Sequence, residues 1–342
     1  KVLFAENAGV VFQSLNPEAV EEVLQNAKVP YTIIGNAVEG DFVKVKNYTW
    51  TNDFHISQLR DIWYETSYLL DKKQSGETQA TLRFDNYKNQ ALKFKFNPEF
   101  SGLRPNYTGK RPVAAVLREK GSNSEREMAN ALYMAGFDVK DVHMTDLISG
   151  REDLTEVQMI AAVGGFSNSD VLGSAKGWAG AFLYNEKANK ALNDFFARED
   201  TLSLGVCNGC QLFIELGLIN PEHEEKPKML HNDSHKFECN FTSVSIQENN
   251  SVMLGSLAGN TLGIWAAHGE GKFHLPYNEQ EYNIVGKYGY QTYPANPNGS
   301  DYNTAILTST DGRHLVMMPH CERSVFPWNW GNYPGERQDE VT

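Results

Sequence analysis

One stretch of the chain, residues 202–216, constrains the fold more than any other. It reads LSLGVCNGCQLFIEL: an apolar segment of strand character, a cysteine between two glycines, and an amphipathic helical segment. Gly205 and Gly209 stand two positions before and after Cys207, a spacing typical of the sharp strand-to-helix turn that presents a nucleophile. The amide groups at a helix N-terminus favour the thiolate, which is the form of cysteine that attacks carbonyl carbon. The stretch therefore predicts a nucleophilic cysteine at the end of a buried strand.

Other interpretations of this cysteine exist. Cys207 and Cys210 form a CxxC pair, which is also found in zinc sites and redox sites. A structural zinc needs four ligands, and the remaining cysteines, Cys239 and Cys321, do not form a second closely spaced pair. A metal site would also leave Gly205 without a role. We therefore expect no metal at this pair, and an ordinary buried cysteine is the remaining alternative.

A cysteine nucleophile needs a base, and the best candidate lies far downstream. A short apolar run, residues 314–318, leads to Pro319, His320 and, two residues later, Glu322. A histidine at a strand end can take the thiol proton, and a carboxylate can accept a hydrogen bond from the other ring nitrogen. Most of the nine histidines are better interpreted as ordinary surface or core residues. For His320 the spacing favours a triad of Cys207, His320 and Glu322.

Strand and helix patterns alternate from residue 109 onward. Apolar strands are predicted at 112–117, 139–142, 159–163 and 202–206, with a helix opening near 123–125 and ending before Gly136. This order predicts an α/β fold with a doubly wound, mostly parallel sheet. Sites in such sheets lie at the carboxyl ends of the strands. Cys207 follows one such end, and Gly164-Gly165-Phe166 follows another, although a Gly-Gly pair is by itself equally consistent with a simple turn.

The first hundred residues predict two further segments. Residues 1–50 contain strand-like runs at 2–5, 9–15, 31–34 and 42–45 and a helix that begins at Asn16-Pro17-Glu18, in the manner of one β-α-β unit. Residues 51–108 begin with a helical pattern over 56–72 and continue as a polar, weakly periodic stretch that we interpret as a connector. The chain opens without methionine inside a strand pattern, so we expect it to be a piece of something longer.

Composition narrows the class of protein. The 342 residues carry a net charge of −12, from 31 basic and 43 acidic residues, which argues against a nucleic-acid partner. No apolar run approaches the length of a membrane span, so we expect no membrane partner. Four cysteines without a framework pattern fit a reducing cytosol, and we expect a cytoplasmic protein.

The two candidate triad motifs, GVCNGCQ around Cys207 and PHCER around His320, resemble those of class I glutamine amidotransferases. More narrowly, the chain is similar to the glutaminase domain of large single-chain formylglycinamide ribonucleotide amidotransferases, also called phosphoribosylformylglycinamidine synthases. Five further stretches carry the narrower resemblance: VLREKGSNSEREM (116–128), GFDVKDVHMTDL (136–147), GGFSNSDVLG (164–173), AHGEG (267–271) and YPANPNGS (293–300). The chain departs from many relatives at Cys321, where they have proline, and at Asn168-Ser169, where they have Tyr-Gly.

The resemblance implies a role for each of several residues. Cys207, His320 and Glu322 would hydrolyse glutamine, and an oxyanion would be held by backbone N–H groups of Gly165 or Phe166 and of Asn208. Contacts to glutamine are implied or suggested for a group of polar residues around the turn: Gln211, Ser167, Asp170, His268 and, with less support, Asn232. Each of the last four, considered alone, is also consistent with an ordinary loop residue or cap.

The resemblance also implies a division of the chain and a set of partners. Residues 1–50 would be the end of the synthetase domain, which resembles aminoimidazole-ribonucleotide synthetase, 51–108 a connector, and 109–342 the glutaminase domain. Ammonia would pass through a channel to a synthetase site in the rest of the polypeptide, where ATP and Mg²⁺ bind, so no cofactor is expected in this chain. We expect the glutaminase site to be completed only when the synthetase site is occupied, and this chain alone to turn over slowly.

Two functions of other classes compete with this interpretation. A cysteine peptidase or a deglycase-like protein would keep the nucleophile turn but would lack the downstream PHxE pattern and the HGEG loop. A non-catalytic interaction domain would be expected to have lost Cys207 or His320, and both are present.

Overall fold

The computed structural model describes residues 8–342, and the chain divides into two compact units between Glu65 and Thr66. In the first unit, helix α1 spans Pro17–Asn26, and strands β1 (Phe42–Lys46) and β2 (Thr51–His55) form an antiparallel hairpin. The Asn16 side chain caps α1 by accepting a hydrogen bond from the N–H of Ala19. The predicted start of this helix is therefore confirmed.

Part of the predicted β-α-β unit is wrong. Residues 9–15 and 31–34 form no strand, and their apolar side chains, such as Val10 and Ile34, are exposed. A strand needs a neighbour for its backbone hydrogen bonds, and none of the described residues pairs with these two runs. The predicted strand at 2–5 lies outside the described residues.

The first part of the polar stretch after residue 72, as far as Asp85, is helical, so the stretch is not extended throughout. Helix α2 runs from Ile56 to Asp85, with an interruption at Gly76 (φ 80°, ψ 163°). Its second half is held by buried polar contacts: the carboxylate of Asp71 accepts hydrogen bonds from Ser75 at 2.6 Å and from Arg83 at 2.6 Å. The contact with Arg83 spans the interruption at Gly76, and both contacts stabilise a segment whose sequence has little helical periodicity.

The second unit is organised around a nine-stranded sheet in the order β4-β3-β5-β6-β13-β12-β11-β8-β9. The five strands of its parallel half are β3 (Val113–Arg118), β4 (Asp138–His143), β5 (Met159–Ala162), β6 (Leu202–Val206) and β13 (His314–Met317). Antiparallel pairing extends this half through β8 (Glu238–Ile246), β9 (Thr261–His268), β11 (Asn283–Tyr288) and β12 (Thr304–Thr308). The predicted α/β class and parallel core are confirmed, and the antiparallel extension was not predicted.

The strand order reverses between β3 and β5. The chain moves outward from β3 to β4 through α3 (Glu125–Met134) and then returns past β3 to β5 and β6. Because crossovers between parallel strands are right-handed, this reversal places helices on both faces of the sheet. The remaining helices and short strands are α4 (Met144–Ser149), α5 (Lys176–Leu183), α6 (Glu186–Ala197), α7 (Asn208–Glu215), β7 (Lys228–Leu230) and β10 (Lys272–His274). Ligands of doubly wound sheets bind at such a reversal.

The buried core surrounds the parallel half of the sheet. Alanine, valine and isoleucine fill β3 and β5, and Trp178 and Phe182 of α5 are completely buried. Among the helices of residues 8–342, none combines the length and apolar character needed to cross a lipid bilayer.

Candidate active site

The turn from β6 into α7 places Cys207 at the edge of the sheet. Cys207 has φ 52° and ψ −108°, a conformation that costs a residue with a side chain about 1–3 kcal/mol. A Cβ at Gly205 would lie 2.6 Å from the carbonyl oxygen of Gly209, and a Cβ at Gly209 would lie 2.0 Å from that of Ala162. The two glycines are therefore required because α7 packs backbone to backbone on the sheet, as the sequence pattern predicts.

Strand β13 brings His320 to the same edge. It runs parallel to β6 with Met317 opposite Val206, and the N–H of Cys207 donates to the carbonyl of Met317 at 2.9 Å. His320 lies three residues beyond the end of β13, where its N–H donates to the carbonyl of Trp265 at 2.8 Å. Two neighbouring parallel strands thus present Cys207 and His320 to each other.

The side chains of Cys207, His320 and Glu322 form a chain of contacts. His320 Nδ1 lies 2.7 Å from Glu322 Oε1, and a ring nitrogen of His320 lies within 4.8 Å of Cys207 Sγ. Burial lowers the pKa of His320, but the charge of Cys207 and the contacts with Cys207 and Glu322 outweigh it and raise the pKa to about 10. Burial raises the pKa of Glu322, but its hydrogen bond to His320 prevails and keeps that pKa below the ordinary value. The geometry favours a thiolate–imidazolium pair oriented by a carboxylate.

The backbone N–H groups predicted to bind the oxyanion differ in whether they already have a hydrogen-bond acceptor. The N–H of Phe166 donates to the carbonyl of Gly121 at 2.9 Å, so it is already used. Within residues 8–342, no acceptor is found for the N–H groups of Gly165 and Asn208. Of the two alternatives, Gly165 and Phe166, this arrangement leaves Gly165 available, because the loop after β5 pairs with the loop after β3 through the Phe166 amide.

An open cavity of about 280 Å³ lies above the thiol. This volume is near the lower end of the range for small-molecule sites, so it fits a small metabolite better than a peptide. Its lining comes mostly from the loops after β5, β9 and β13 and from the segment before β8: Asn123, Gly165, Phe166, Asp170, Ser174, Cys207, Gln211, His231, His235, Lys236, Phe237, Ala267, His268, Gly269, Glu270, His320 and Arg323.

Three of the five predicted substrate contacts line this cavity. Gln211 lies at its base, where its Nε2 donates to the carbonyl of Glu270 at 2.7 Å and its Oε1 accepts from Asn208. Asp170 has a pKa above its ordinary value because of burial and the nearby charge of Glu270. His268 is buried, with its ring 5.7 Å from that of His320.

The other two predicted contacts, Ser167 and Asn232, lie outside the cavity. Asn232 is completely buried, and its amide bonds to Lys236 O, His268 O, Gly271 N and the Asn298 side chain. Those four bonds fill its hydrogen-bonding capacity, so it holds the loops together and the expected substrate contact is wrong. Ser167 is likewise buried behind Asn208, whose Oδ1 accepts from its N–H at 3.2 Å.

Several lining residues were not predicted. Glu270 and Arg323 stand inside the HGEG and PHCER motifs, which were the available signal for them. Lys236 and Phe237 come from a segment with no motif, and Phe237 packs against Phe166 at 6.1 Å between ring centroids. Only the assembled loops show that these residues surround the thiol.

Comparison with solved structures supports the fold. PurLQS from Thermotoga maritima matches 64% of this chain and 92% of that chain, with a TM-score of 0.52 and 27% identity.

Known sequences are similar over nearly the whole chain. The probable phosphoribosylformylglycinamidine synthase, chloroplastic/mitochondrial, of Arabidopsis thaliana is 38% identical over 371 residues, covering 98% of this chain and 25% of that protein. The Homo sapiens phosphoribosylformylglycinamidine synthase is 36% identical over 374 residues, covering 97% of this chain and 28% of that protein. This chain thus spans about a quarter of the length of these relatives. Residues 111–342 match the model of the CobB/CobQ-like glutamine amidotransferase domain, and the chain belongs to that family.

Proposed function

We propose that this chain is the glutaminase part of an enzyme of the phosphoribosylformylglycinamidine synthase type. The observation that carries the proposal is the convergence of Cys207 Sγ and a ring nitrogen of His320 within 4.8 Å in the lining of a cavity, with Glu322 Oε1 2.7 Å from Nδ1 of the same imidazole. This arrangement supplies a nucleophile, a proton carrier and an orienting carboxylate in one place.

The reaction proceeds in two halves. The thiolate of Cys207 attacks the side-chain amide carbon of glutamine, the C–N bond breaks, and His320 gives its proton to the departing ammonia. Water then attacks the glutamyl thioester while His320 accepts a proton from it, which releases glutamate and restores the thiol. Glu322 holds the imidazole in the tautomer that has Nε2 facing the sulfur.

The tetrahedral intermediates place negative charge on the former amide oxygen. The free N–H groups belong to Gly165, in the loop after β5, and to Asn208, which follows Cys207 at the start of α7. Each donor of this kind lowers the barrier by about 3–4 kcal/mol. The sequence requirement for glycine at 165 also follows, since a Cβ there would lie 2.5 Å from Ser122 Cα.

The charges around the cavity fit free glutamine, which carries one ammonium and one carboxylate. Asp170 and Glu270 provide negative charge on one side. Burial and, second to it, the charge of Glu270 raise the pKa of Asp170, and a bound ammonium would offset both effects. Arg323 provides positive charge for the carboxylate, whereas Lys236, which also lines the cavity, already lies 3.1 Å from Asp71 Oδ1. Gln211 fixes the Glu270 loop through its hydrogen bond to the backbone.

The fate of the ammonia follows from the relatives. They carry the name phosphoribosylformylglycinamidine synthase and are about four times longer than this chain. The remaining part of such an enzyme would bind ATP and Mg²⁺, receive the ammonia through a channel and convert formylglycinamide ribonucleotide to its amidine in purine biosynthesis. Residues 109–342 form the glutaminase domain, which the family match from 111 supports, 51–108 connect it, and 1–50 belong to the synthetase. Four free cysteines support a reducing, cytoplasmic location.

The experiment is active-site labelling with 6-diazo-5-oxo-norleucine, an electrophilic glutamine analogue, followed by mass spectrometry of the peptides. We expect one adduct per chain, on Cys207. Glutamine should compete with the label, and peptide-sized glutamate esters should not. Cys207→Ser should take up none, whereas Cys239→Ser, which alters an exposed cysteine, serves as the matched control. Labelling that glutamine does not slow would contradict the proposal.

A further inference from the structure

A second histidine shares the thiol with His320. Cys207 Sγ, one ring nitrogen of His268 and one of His320 all lie within 4.8 Å of one another, and all three residues are buried, with 7%, 2% and 2% of their surface exposed. Nε2 of both histidines is buried without a hydrogen-bond partner. The hydrolysis of glutamine uses only His320, so the mechanism leaves the free nitrogen of His268 unexplained.

The tautomer of His268 follows from its neighbours. Asn298 Nδ2 donates to Asn232 Oδ1 at 2.7 Å, which fixes the orientation of the Asn298 amide. Its Oδ1 lies 3.3 Å from His268 Nδ1 and also accepts from the hydroxyl of Tyr288. His268 Nδ1 is therefore the donor, and His268 Nε2 carries a lone pair.

His320 has the same arrangement. Its Nδ1 lies 2.7 Å from a carboxylate oxygen of Glu322, which can only accept, so Nδ1 carries the proton. The two rings lie 22° from parallel at 5.7 Å between centroids. An oxygen acceptor behind Nδ1 and a free Nε2 in front is the arrangement found behind histidines that bind metal ions.

We propose that Cys207, His268 and His320 form a site for Zn²⁺ that reversibly blocks the enzyme. The residues supply one thiolate and two imidazole nitrogens, a donor set that zinc prefers, and the open cavity leaves the fourth tetrahedral position to water. At zinc's usual bond lengths these donors lie about 3.5 Å apart, so small side-chain rotations within the observed 4.8 Å bring them into range. Binding releases to solvent the one proton that Cys207 Sγ and His320 Nε2 hold between them, and it involves no change in oxidation state.

Zinc at this position removes both groups that catalysis needs. Cys207 can no longer attack, and His320 can no longer carry a proton, so glutamine hydrolysis stops until the metal leaves. The site is distinct from the CxxC pair, because Cys210 is not one of the three converging residues. It depends on the geometry of these donors and not on the identity of the substrate.

The test uses binding, measured without any reaction. The chelator-treated protein is titrated with Co²⁺ and followed by absorption, and Zn²⁺ affinity is measured by competition. We expect one ion per chain, visible bands of a tetrahedral ion, and a thiolate-to-cobalt band in the near ultraviolet that Zn²⁺ displaces. Zn²⁺ should also protect Cys207 from iodoacetamide.

Two variants and one control decide the outcome. Cys207→Ser should abolish the thiolate band. His268→Gln should weaken Zn²⁺ binding by at least ~100-fold, but any cobalt that it still binds should show the thiolate band. Cys239→Ser, an exposed cysteine elsewhere, should bind as the wild type does. Unchanged Zn²⁺ affinity in both site variants, or an octahedral cobalt spectrum without the thiolate band, would overturn the proposal. Circular dichroism shows whether each variant is folded. If His268→Gln does not fold, Cys207→Ser still tests the site independently.

Discussion

Replacing Gly209 with alanine tests whether the close packing of α7 on the sheet positions the thiol. The new Cβ would lie 2.0 Å from the carbonyl oxygen of Ala162, whereas ordinary contacts begin at 3.4 Å, so the helix must retreat by about 1.4 Å. Overpacking of this kind costs about 1–3 kcal/mol, and the better helix propensity of alanine returns about 1 kcal/mol. We therefore expect a loss of about 1 kcal/mol in the free energy of unfolding.

The effect on reactivity should be larger than the effect on stability. A displacement of about 1 Å in a reacting group costs roughly 100-fold in rate, which corresponds to about 2.7 kcal/mol in the barrier. The retreat also moves Asn208, whose N–H is one of the two free donors beside the thiol. The assay compares the rate of labelling by 6-diazo-5-oxo-norleucine with the free energy of unfolding in urea, both on the same variant.

Gly180→Ala in α5 is the matched control. A Cβ there would meet nothing closer than Tyr184 Cδ2 at 3.8 Å, so the substitution adds helix propensity without a clash. It should leave the labelling rate unchanged and raise the free energy of unfolding by up to about 1 kcal/mol. A folded Gly209→Ala variant that is labelled at the wild-type rate would refute the argument that this contact sets the position of Cys207.

Four further predictions concern the triad and its neighbours. In a full-length enzyme of the relatives' type, Cys207→Ser should abolish glutamine-dependent synthesis but keep ammonia-dependent synthesis; parallel loss of both in a folded variant would count against separate sites. Wild type should have a higher free energy of unfolding than Glu322→Gln above pH 4.5, because the lowered pKa of Glu322 keeps the carboxylate charged there. The full difference should persist up to about pH 6.5. It should fade as the pH rises towards 10 and His320 loses its proton, and urea unfolding at pH 6 and pH 10 measures this difference. Thiol alkylation should modify Cys207 and spare Cys210 and Cys321, because burial raises the pKa of both other thiols, and peptide mapping that finds Cys321 equally modified would contradict this. Glutamate release by this chain alone should be at least ~10-fold slower than by a full-length enzyme with its nucleotide substrates, a coupling of about 1.4 kcal/mol, and equal rates at saturating glutamine would remove the need for a partner.

The features that could be predicted are those that depend on the spacing of residues close together in the sequence. The glycines around Cys207 and the PHxE pattern are short-range requirements of one turn and one strand end, so the sequence shows them directly. Much of the parallel half of the sheet was predictable for the same reason, because β3, β5 and β6 are largely continuous apolar runs.

The features that could not be predicted depend on contacts between distant segments. The second half of α2 is helical because Asp71 binds Arg83 and Lys236, and no local pattern encodes those pairs. The polar side chain of Asn232 is of a type that suits a binding residue, but its four hydrogen bonds join it to residues up to 66 positions away in the sequence. The runs at 9–15 and 31–34 have strand composition, yet strand formation depends on a neighbour that local sequence does not specify.

The pairing of β6 with β13 has a consequence for how the protein is made. His320 follows Cys207 by roughly a hundred residues. A ribosome adding about 5–20 residues per second therefore adds Cys207 roughly ten seconds before it adds His320. During that interval the nascent chain contains a nucleophile without its proton carrier. Catalysis therefore begins only after a contact of high sequence separation has formed, which delays any release of ammonia until synthesis of the domain is nearly finished.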